Sequence, residues 1–473
     1  MERKNKQMHQ VFNPFLPSWE YIPDGEPHIY GDRLYLFGSH DRFNGTQFCM
    51  NDYVCWSCPL DDFSDWRNEG TIYRKSQDPD AKADSIMQAP DVCQGLDGRY
   101  YLYYTLGLVP FMSVAVCDTP AGQYEYYGVV KYQDGTPVGL REHDVFQFDP
   151  GVFVDDDGKI WLYSGFGPKA DGVFAAACKK FCMEGAYAME LQSDMLTVKS
   201  EPKMVLSKEG EHGFFEASSM RKIDSRYYFI YSSQLGHELC WAVGDKPDGM
   251  FQYGGTLVSN GDVGLSEKPC NYTGNTHGSL VKAGDQWYVF YHRQTNRHQY
   301  SRQACAEKIF FEDGRFCQAE MTSCGLNGCP LSGHGEYEAR IACNLWSKEG
   351  ALFYGVSGTL EAEEHPYFTQ SGEDRECSGD QYIANMRDGS VAGFKYLAFD
   401  GLSEIGVLVS CTDNGEVIVM TEPDNEPICR IPVFSTGEMK WFYAEASALQ
   451  GNHALYFRFQ GKGSLNLYRF QLL

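Results

Sequence analysis

The sequence has few basic residues, and this shortage narrows the range of partners. Its 473 residues include 40 lysines and arginines against 64 aspartates and glutamates, a formal net charge of −24 at pH 7. Nucleic acids and anionic membranes attract basic surfaces, so this balance argues against both as partners. No run approaches the ~18–20 apolar residues of a membrane span, and residues 1–10 contain no apolar stretch of signal-peptide length. We therefore predict a cytoplasmic protein that does not bind membranes.

The cysteines lack the spacing of a disulfide framework. There are 17 of them, an odd number, scattered along the chain. Cys55 and Cys58 form the one CxxC pair, and no second pair follows at the spacing of a zinc site. We predict free thiols in a reducing compartment.

Aromatic residues are abundant, at 15% of the chain, and they close a pattern that occurs five times in the first 310 residues. Each copy is a Gly/Asp-containing turn followed by an aromatic strand-like run, at residues 31–35, 97–101, 157–161, 224–228 and 284–288. The closing aromatics lie 66, 60, 67 and 60 residues apart. Each copy predicts a β-hairpin, and the period leaves room for two further strands. Four strands repeated five times is typical of a five-bladed β-propeller.

The repeat stops near residue 315, and the composition changes after it. Residues 322–335 are rich in Gly, Cys, Ser and Pro and are interpreted as a linker. Alternating runs follow at 405–410, 416–420 and 454–459, separated by turn signals at roughly 10-residue intervals, which favours a β-sandwich. We predict an all-β protein with a propeller domain over residues 1–325 and a sandwich domain over residues 326–473.

A polar residue lies 10–12 positions before each closing aromatic: Asp24, Asp91, Asp149, Glu216 and His277. Polar groups in a propeller channel can serve solvation alone, but four carboxylic acids near one axis repel each other and separate their pKa values. Glycoside hydrolysis needs such a protonated and ionised pair. Glu216 follows two phenylalanines and is the better acid, while Asp24 is the better base. Asp91 is expected to steer Glu216, and Asp149 is interpreted as a structural residue at the start of its strand.

The motifs around these residues resemble glycoside hydrolase family 43, the five-bladed propeller family of arabinofuranosidases, xylosidases and arabinanases. In order they are NPFLP (13–17), DGEPH (24–28), APDV (89–92), DP (149–150) with DDDG (155–158), FEASS (215–219), THGS (276–279) and SRQ (301–303). The resemblance covers roughly residues 12–315. It implies that Asp24 is the general base, Glu216 the general acid and Asp91 the residue that tunes the acid. It also implies that His277 is an axial histidine that holds a water or, through water, a calcium ion; no cofactor is required.

The resemblance also implies sugar contacts. Arg302 matches the arginine of the innermost subsite, and we expect His28, Gln88 and Phe166 to contact the substrate as well. This sequence departs from the family at Gly25, where many members have proline. It also departs at Gln88, where many have an aromatic residue, which leaves the shape of the sugar pocket open.

The last ~140 residues resemble a family 6-type carbohydrate-binding sandwich, through residues 382–390 and 451–457. Trp441 and Phe442 are candidate glycan contacts, although a purely structural role for this domain is an open alternative.

Together these features predict an inverting exo-glycosidase that releases α-L-arabinofuranose, β-D-xylose or both from plant oligosaccharides. Inversion requires the acid and base to lie roughly 6.5–9.5 Å apart. The alternatives are an endo-arabinanase, a five-bladed β-fructosidase, whose Asn-Asp-Pro motif is replaced here by Pro23-Asp24-Gly25, and a non-catalytic glycan-binding propeller. The sequence leaves the choice between arabinofuranosidase and xylosidase, and the oligomeric state, open.

Overall fold

The computed structural model describes residues 9–107, 109–352, 363–376 and 380–473, and these residues form an all-β protein. Helical structure in them is confined to short segments, of which the α-helix is α1 (Ala175–Lys180). Within the described ranges no helix is long and apolar enough to cross a membrane. The cysteines of the same ranges are all free.

The first part of the chain folds into five antiparallel sheets, each made of consecutive strands. The first two sheets contain β1 (Glu26–Tyr30), β2 (Arg33–Phe37), β3 (Tyr53–Pro59) and β4 (Arg67–Tyr73), then β5 (Asp91–Gln94), β6 (Tyr100–Tyr104), β7 (Ser113–Cys117) and β8 (Glu125–Val129). The third and fourth contain β9 (Gly151–Val154), β10 (Ile160–Gly165), β11 (Gly185–Leu191) and β12 (Lys203–Ser207), then β13 (Phe214–Ile223), β14 (Arg226–Ser233), β15 (Leu239–Gly244) and β16 (Gln252–Val258). The fifth has three strands, β17 (Ser279–Ala283), β18 (Gln286–Gln294) and β19 (Arg302–Ile309).

The five repeated turns join the first two strands of each sheet, as the sequence predicts. Strand β1 pairs with β2, β5 with β6, β9 with β10, β13 with β14 and β17 with β18, all antiparallel. In the third sheet, for example, Gly158 closes the turn at a φ of 79°, a conformation that glycine adopts at little cost. The five hairpin predictions are confirmed.

Hydrophobic clusters fill the spaces between consecutive sheets. Separate clusters join the first sheet to the second, the second to the third, the third to the fourth and the fourth to the fifth. A further cluster joins the first sheet to the fifth and includes Leu36 and Phe290. A parallel bridge between Gly25 and Gly278 also connects these two sheets. The first strands are therefore neighbours, with β1 beside β5 and β17, and β9 beside β5 and β13.

A short hairpin, β20 (Phe311–Glu312) and β21 (Arg315–Phe316), ends this part of the chain. The rest contains β22 (Leu331–Ser332), β23 (Gly335–Glu338), β24 (Asn344–Trp346), β25 (Tyr367–Gln370), β26 (Gln381–Met386), β27 (Val391–Phe399), β28 (Glu404–Cys411), β29 (Gly415–Met420), β30 (Cys429–Val433), β31 (Lys440–Glu445), β32 (Gly451–Gly461) and β33 (Leu465–Leu472). The three runs predicted as strands correspond to β28, β29 and β32.

These C-terminal strands form two six-stranded sheets around one core. One sheet has the order β22-β27-β32-β29-β30 with β24 beside β27, and the other has the order β25-β26-β33-β28-β31 with β23 beside β33. Phe394 of the first sheet contacts Phe470 of the second, with 4.6 Å between ring centroids. Both rings are fully buried, so the two sheets share their hydrophobic interior. We call residues 331–473 the C-terminal region.

Candidate active site

A cavity of about 660 Å³ opens where the first strands of the five sheets begin. This volume lies within the range of ~300–1,000 Å³ that is usual for small-molecule sites. Four of the five polar residues singled out by the repeat line it, namely Asp24, Asp149, Glu216 and His277. The repeat therefore brings most of its reactive groups into one site.

Asp24 lies two residues before β1 and is held by Arg302. Its backbone adopts a φ of 57°, a conformation that aspartate tolerates better than most residues and that clusters at functional sites. Its Oδ1 accepts a hydrogen bond from Arg302 Nη1 at 2.8 Å, and both side chains are buried. The Asp24 amide donates to His292 Nδ1 at 3.2 Å. The carboxylate thus faces the cavity with a fixed cation beside it.

Asp24 is ionised at neutral pH. Burial by itself raises the pKa of this carboxyl, but the charges around it, with Arg302 the largest, outweigh burial and lower the pKa to about 2. Burial also lowers the pKa of His277 to about 4 and of His292 to about 3. Both imidazoles are therefore neutral near pH 7, and Arg302 is the cation that keeps Asp24 charged.

Glu216 is presented to the cavity by a β-bulge. The register of β13 against β14 shifts on both sides of Glu216, and the next residue, Ala217, has a φ of 70°. Bulges of this kind redirect side chains near functional sites. Asn275 Nδ2 donates to Glu216 Oε1 at 2.8 Å. Burial, and after it the charge of Asp24, raises the pKa of Glu216 to about 8, so this carboxyl is protonated at neutral pH.

Asp149 is a third carboxyl in the cavity, and the charge of Glu216 opposes its ionisation. It lies two residues before β9, with a φ of 43°, and its Oδ2 is 3.5 Å from His277 Nδ1. Burial, followed by the charges of Glu216 and Asp24, raises the pKa of Asp149 well above its usual range. Asp149 therefore lies within the electrostatic reach of the acid, and its structural role at the start of β9 stays a prediction.

Asp91, which the resemblance assigns to the tuning of Glu216, occupies a different position. It does not line the cavity. One of its oxygens contacts His28 Nε2 at 2.7 Å and accepts from the Val92 amide at 2.7 Å. The other accepts from the Val152 amide at 2.6 Å. Both oxygens thus have partners, His28 in the first sheet and Val152 in the third among them. Asp91 makes these hydrogen bonds in place of the expected contact with Glu216.

The four expected sugar contacts separate into two groups. Arg302, Gln88 and Phe166 line the cavity, and Phe166 packs against Phe148 and Phe215 with ring centroids 4.7 and 5.3 Å away. His28 does not line it, because its imidazole is turned to Asp91. The prediction for His28 is therefore not supported by its position.

The groups around His277 are a poor direct site for calcium, which prefers six to eight oxygen ligands. Asp24 is committed to Arg302, and His277 itself offers nitrogen. Elsewhere, ligand atoms of Glu26, His28 and Asp91 lie within 4.8 Å of one another. There, however, the guanidinium of Arg221 pairs with Glu26 at 2.7 Å and already supplies a cation.

Three groups were missed by the sequence analysis, two that line the cavity and one that lies behind Arg302. Asn275 bridges the site, because Arg302 Nη1 donates to its Oδ1 at 2.9 Å while its Nδ2 bonds Glu216. Asp41 accepts from Arg302 Nε at 2.8 Å and orients the guanidinium. His237 lines the cavity against the Phe215 ring, 4.2 Å between centroids. Asn275 was detectable, since it lies two residues before His277 in the THGS motif, whereas Asp41 and His237 belong to no repeated pattern.

The two candidate glycan contacts of the C-terminal region face opposite sides of β31. Phe442 packs against the core between the two C-terminal sheets. Trp441 instead lies beside Tyr443, with ring centroids 5.6 Å apart. The position of Phe442 favours a structural role, while a glycan contact at Trp441 stays a prediction.

Comparisons with known proteins identify the family of the chain. Residues 13–316 match the model of the family described as glycosyl hydrolases family 43. The chain is 48% identical to a xylosidase/arabinosidase of Thermoclostridium stercorarium over 98% of this chain and 99% of that protein. It is 31% identical to xylosidase/arabinosidase 43A of Humicola insolens over 58% of this chain and 88% of that protein.

Among solved structures, a glycoside hydrolase family 43 arabinoxylan arabinofuranohydrolase from Bacillus subtilis, in complex with cellotetraose, matches with a TM-score of 0.52 at 20% identity. The match covers 97% of both chains and indicates a shared fold. With a family match over most of its length and a cavity that holds one ionised and one protonated carboxyl, the chain is a glycoside hydrolase and belongs to glycosyl hydrolases family 43.

Proposed function

We propose that the protein is an inverting, exo-acting glycosidase that releases α-L-arabinofuranose, β-D-xylose or both from arabinoxylan or arabinan oligosaccharides. The observation that carries the proposal is the opposite shift of two carboxyl pKa values in one cavity, to about 2 for Asp24 and about 8 for Glu216. Glycoside hydrolysis uses such a pair. The relatives named xylosidase/arabinosidase support the choice of pentoses as substrates.

In the proposed mechanism Asp24 is the general base and Glu216 the general acid. Asp24 accepts a proton from water as the water oxygen bonds to the anomeric carbon, and Glu216 gives its proton to the leaving oxygen as the glycosidic bond breaks. Arg302 and Asn275 bridge the two carboxyls by hydrogen bonds. A bridge of two side chains keeps the carboxyls apart and supports inversion, because an inverting site must leave room for a water molecule.

We assign the tuning of Glu216 to Asp149 rather than to Asp91. The assignment is supported by the charge coupling between Asp149 and Glu216 and by the commitment of both Asp91 oxygens to other partners. Two neighbouring carboxyls repel each other once both are ionised, so the pair loses its second proton only at raised pH. Asp91 then serves to hold neighbouring strands together.

Replacing Asp149 with asparagine is expected to move the alkaline limb of the pH profile of kcat/KM to lower pH. The active form of Glu216 is protonated. Glu216 and Asp149 repel each other when both are ionised, so the last proton of the pair is lost only at raised pH. Without Asp149 this repulsion is absent, so Glu216 loses its proton at lower pH and less acid remains at pH 8. The loss at pH 8 should be roughly tenfold, part of the ~10²–10⁴ that general acid catalysis contributes. Asp91→Asn is the matched control.

Asp91→Asn should leave the alkaline limb in place and lower the melting temperature. One carboxylate oxygen of Asp91 becomes an NH₂ group, which faces a backbone N–H donor instead of accepting from it. The lost hydrogen bond should lower the free energy of unfolding by about 1–3 kcal/mol. The measurement is kcat/KM from pH 5 to 9 together with thermal unfolding. A shift of the limb in the Asp91 variant and not in the Asp149 variant would reverse the assignment.

The proposed function is tested by hydrolysis of 4-nitrophenyl α-L-arabinofuranoside beside 4-nitrophenyl β-D-xyloside, with the first-formed anomer followed by NMR. We expect hydrolysis of at least one substrate and a product of inverted configuration. A product of retained configuration contradicts the mechanism. Hydrolysis of linear arabinan with neither aryl glycoside cleaved indicates an endo-arabinanase, and glycan binding without hydrolysis indicates a binding protein.

We also infer that the five sheets form a five-bladed propeller and the C-terminal sheets a sandwich, with domains at 1–325 and 326–473. The clusters between all consecutive sheets, including the first and fifth, support the first inference. The shared core supports the second. Three further statements stay predictions: the enzyme requires no cofactor, His277 holds a calcium ion through water, and the protein is cytoplasmic.

A further inference from the structure

One segment of the C-terminal region, β25 and the turn that follows it, lies against two loops that form the cavity wall. Residues 41–51 supply Phe48 and Cys49 to the cavity, and residues 295–301 supply Gln299 and Tyr300. The C-terminal region therefore reaches the walls of a site whose acids belong to the first five sheets.

Asp374, in this turn, bonds both ends of the first loop. Its Oδ1 accepts from the Phe43 amide at 2.7 Å, and its Oδ2 accepts from Asn51 Nδ2 at 3.2 Å. Asn51 Nδ2 also donates to the Asp41 carbonyl at 3.0 Å. Within the loop, Asn44 and Cys49 have φ values of 54° and 56°. A loop with such backbone conformations needs external bonds to hold it, and Asp374 supplies two that are charge-assisted.

The same loop surrounds Arg302. The Phe48 ring lies 4.7 Å from the guanidinium carbon, and Arg302 Nη2 donates to Cys49 Sγ at 3.4 Å. The Cys49 amide donates to Asp41 Oδ1 at 2.9 Å, and the Asp41 carboxylate in turn holds Arg302. Movement of the loop would thus change the packing around the arginine that faces both the cavity and Asp24.

Neighbouring contacts fix the turn that carries Asp374. Arg375 Nη1 bonds Glu20 Oε1 at 2.7 Å and His40 Nε2 at 2.6 Å, and Glu20 is buried. Gln370 Oε1 accepts from the Tyr21 hydroxyl at 2.6 Å. On the second loop, the Asn296 amide donates to the Phe368 carbonyl at 2.6 Å. The turn is held on both sides of Asp374.

We propose that Asp374 is a positioning residue for the sugar-binding wall, so that the C-terminal region completes the substrate site without supplying a catalytic group. The inference rests on the proposed function, since it assigns the wall of residues 41–51 to substrate binding. Loosening this wall weakens contacts made by Phe48 and Cys49 in both the bound substrate and the transition state. Such a loss raises KM more than it lowers kcat.

The test compares Asp374→Ala and Asp374→Asn with Glu373→Ala, measured on whichever aryl pentoside the full-length wild-type enzyme cleaves. Glu373 is the adjacent acidic residue and is exposed, so its variant removes a charge from the same turn without removing either bond. We expect Asp374→Ala to raise KM by about tenfold with kcat within about twofold of wild type. Asp374→Asn keeps one acceptor for the Phe43 amide and should raise KM by only about threefold, and Glu373→Ala should match wild type.

Amide hydrogen exchange gives a second measurement. Residues 43–51 should exchange faster in both Asp374 variants and at the wild-type rate in Glu373→Ala, because local opening is controlled by the bonds that close the loop. If Asp374→Ala does not fold, the raised KM and faster exchange of Asp374→Asn carry the test. An unchanged KM in folded Asp374 variants overturns the inference, whereas wild-type inactivity on every pentoside overturns the proposed function instead.

Discussion

Replacing Glu216 with alanine is expected to lower kcat/KM on oligosaccharides by ~10²–10⁴, the usual contribution of a general acid, and to spare substrates with very good leaving groups. The leaving oxygen of a sugar or of a weakly acidic phenol needs a proton as the glycosidic bond breaks. Glu216 can give one because its pKa of about 8 keeps it protonated at pH 7. A leaving group such as 2,4-dinitrophenolate departs without that proton. The measurement is kcat/KM across aryl glycosides of graded phenol acidity.

The pH profile of the same variant gives an independent check. Wild-type activity should fall as pH rises past about 8, where Glu216 loses its proton, and this limb should be absent from the Glu216→Ala profile on the activated substrate. An equal loss on all leaving groups, or a retained alkaline limb, would show that another residue is the acid.

Thermal unfolding of Glu216→Gln separates lost chemistry from lost structure. Because burial raises the pKa of Glu216 from its ordinary 4.5 to about 8, the folded state binds more protons than the unfolded state between these pH values. The free energy of unfolding therefore falls as pH rises from about 4.5 to about 8, because the unfolded state ionises this carboxyl more readily. The neutral glutamine avoids that cost, so Glu216→Gln should unfold at the wild-type temperature or above it at pH 7 to 8.

The sequence predicted the hairpins well because each depends on local chemistry. A turn residue that tolerates positive φ, followed by alternating aromatics, determines strand pairing within about ten residues. Gly158 in the third sheet and the paired strands β9 and β10 illustrate this. Asp24 and Glu216 were found for the same reason, since they lie 11 and 12 residues before the closing aromatics of these hairpins.

The choice between Asp91 and Asp149 could not be made from that offset. Asp91 lies 10 residues before its aromatic, Tyr101, and Asp149 lies 12 before Trp161. Two residues of strand span roughly 7 Å. Asp91 is accordingly the first residue of β5, beside His28, whereas Asp149 precedes β9 and faces the cavity. A difference that looks negligible in the sequence thus decides which carboxyl approaches the acid.

Contacts between distant parts of the chain could not be predicted from the sequence. Asp374 contacts Phe43 across 331 residues of sequence, and Arg302 contacts Asp41 across 261. Neither pair belongs to a repeat, and each is established only when separate sheets pack. The loops that shape the sugar pocket are therefore the part of the site that the sequence describes least.

Replacing Asp24 with asparagine is expected to reduce activity on all substrates alike, in contrast to the Glu216 variants. Asp24 acts on the water, so the loss does not depend on the leaving group. Asparagine preserves the size of the side chain and can still accept from Arg302, but its amide cannot take a proton from water. The expected loss in kcat is at the upper end of the ~10²–10⁴ range for a missing base.

The ratio of kcat/KM on activated and unactivated glycosides is the decisive quantity. It should stay at the wild-type value in Asp24→Asn and rise steeply in Glu216→Ala. Because the charge of Arg302 helps to hold the pKa of Asp24 at about 2, wild-type activity should show no acid limb from Asp24 above about pH 3. A ratio that changes in Asp24→Asn as it does in Glu216→Ala would mean that Asp24 takes part in leaving-group departure, and the division of roles between the two carboxyls would then be wrong.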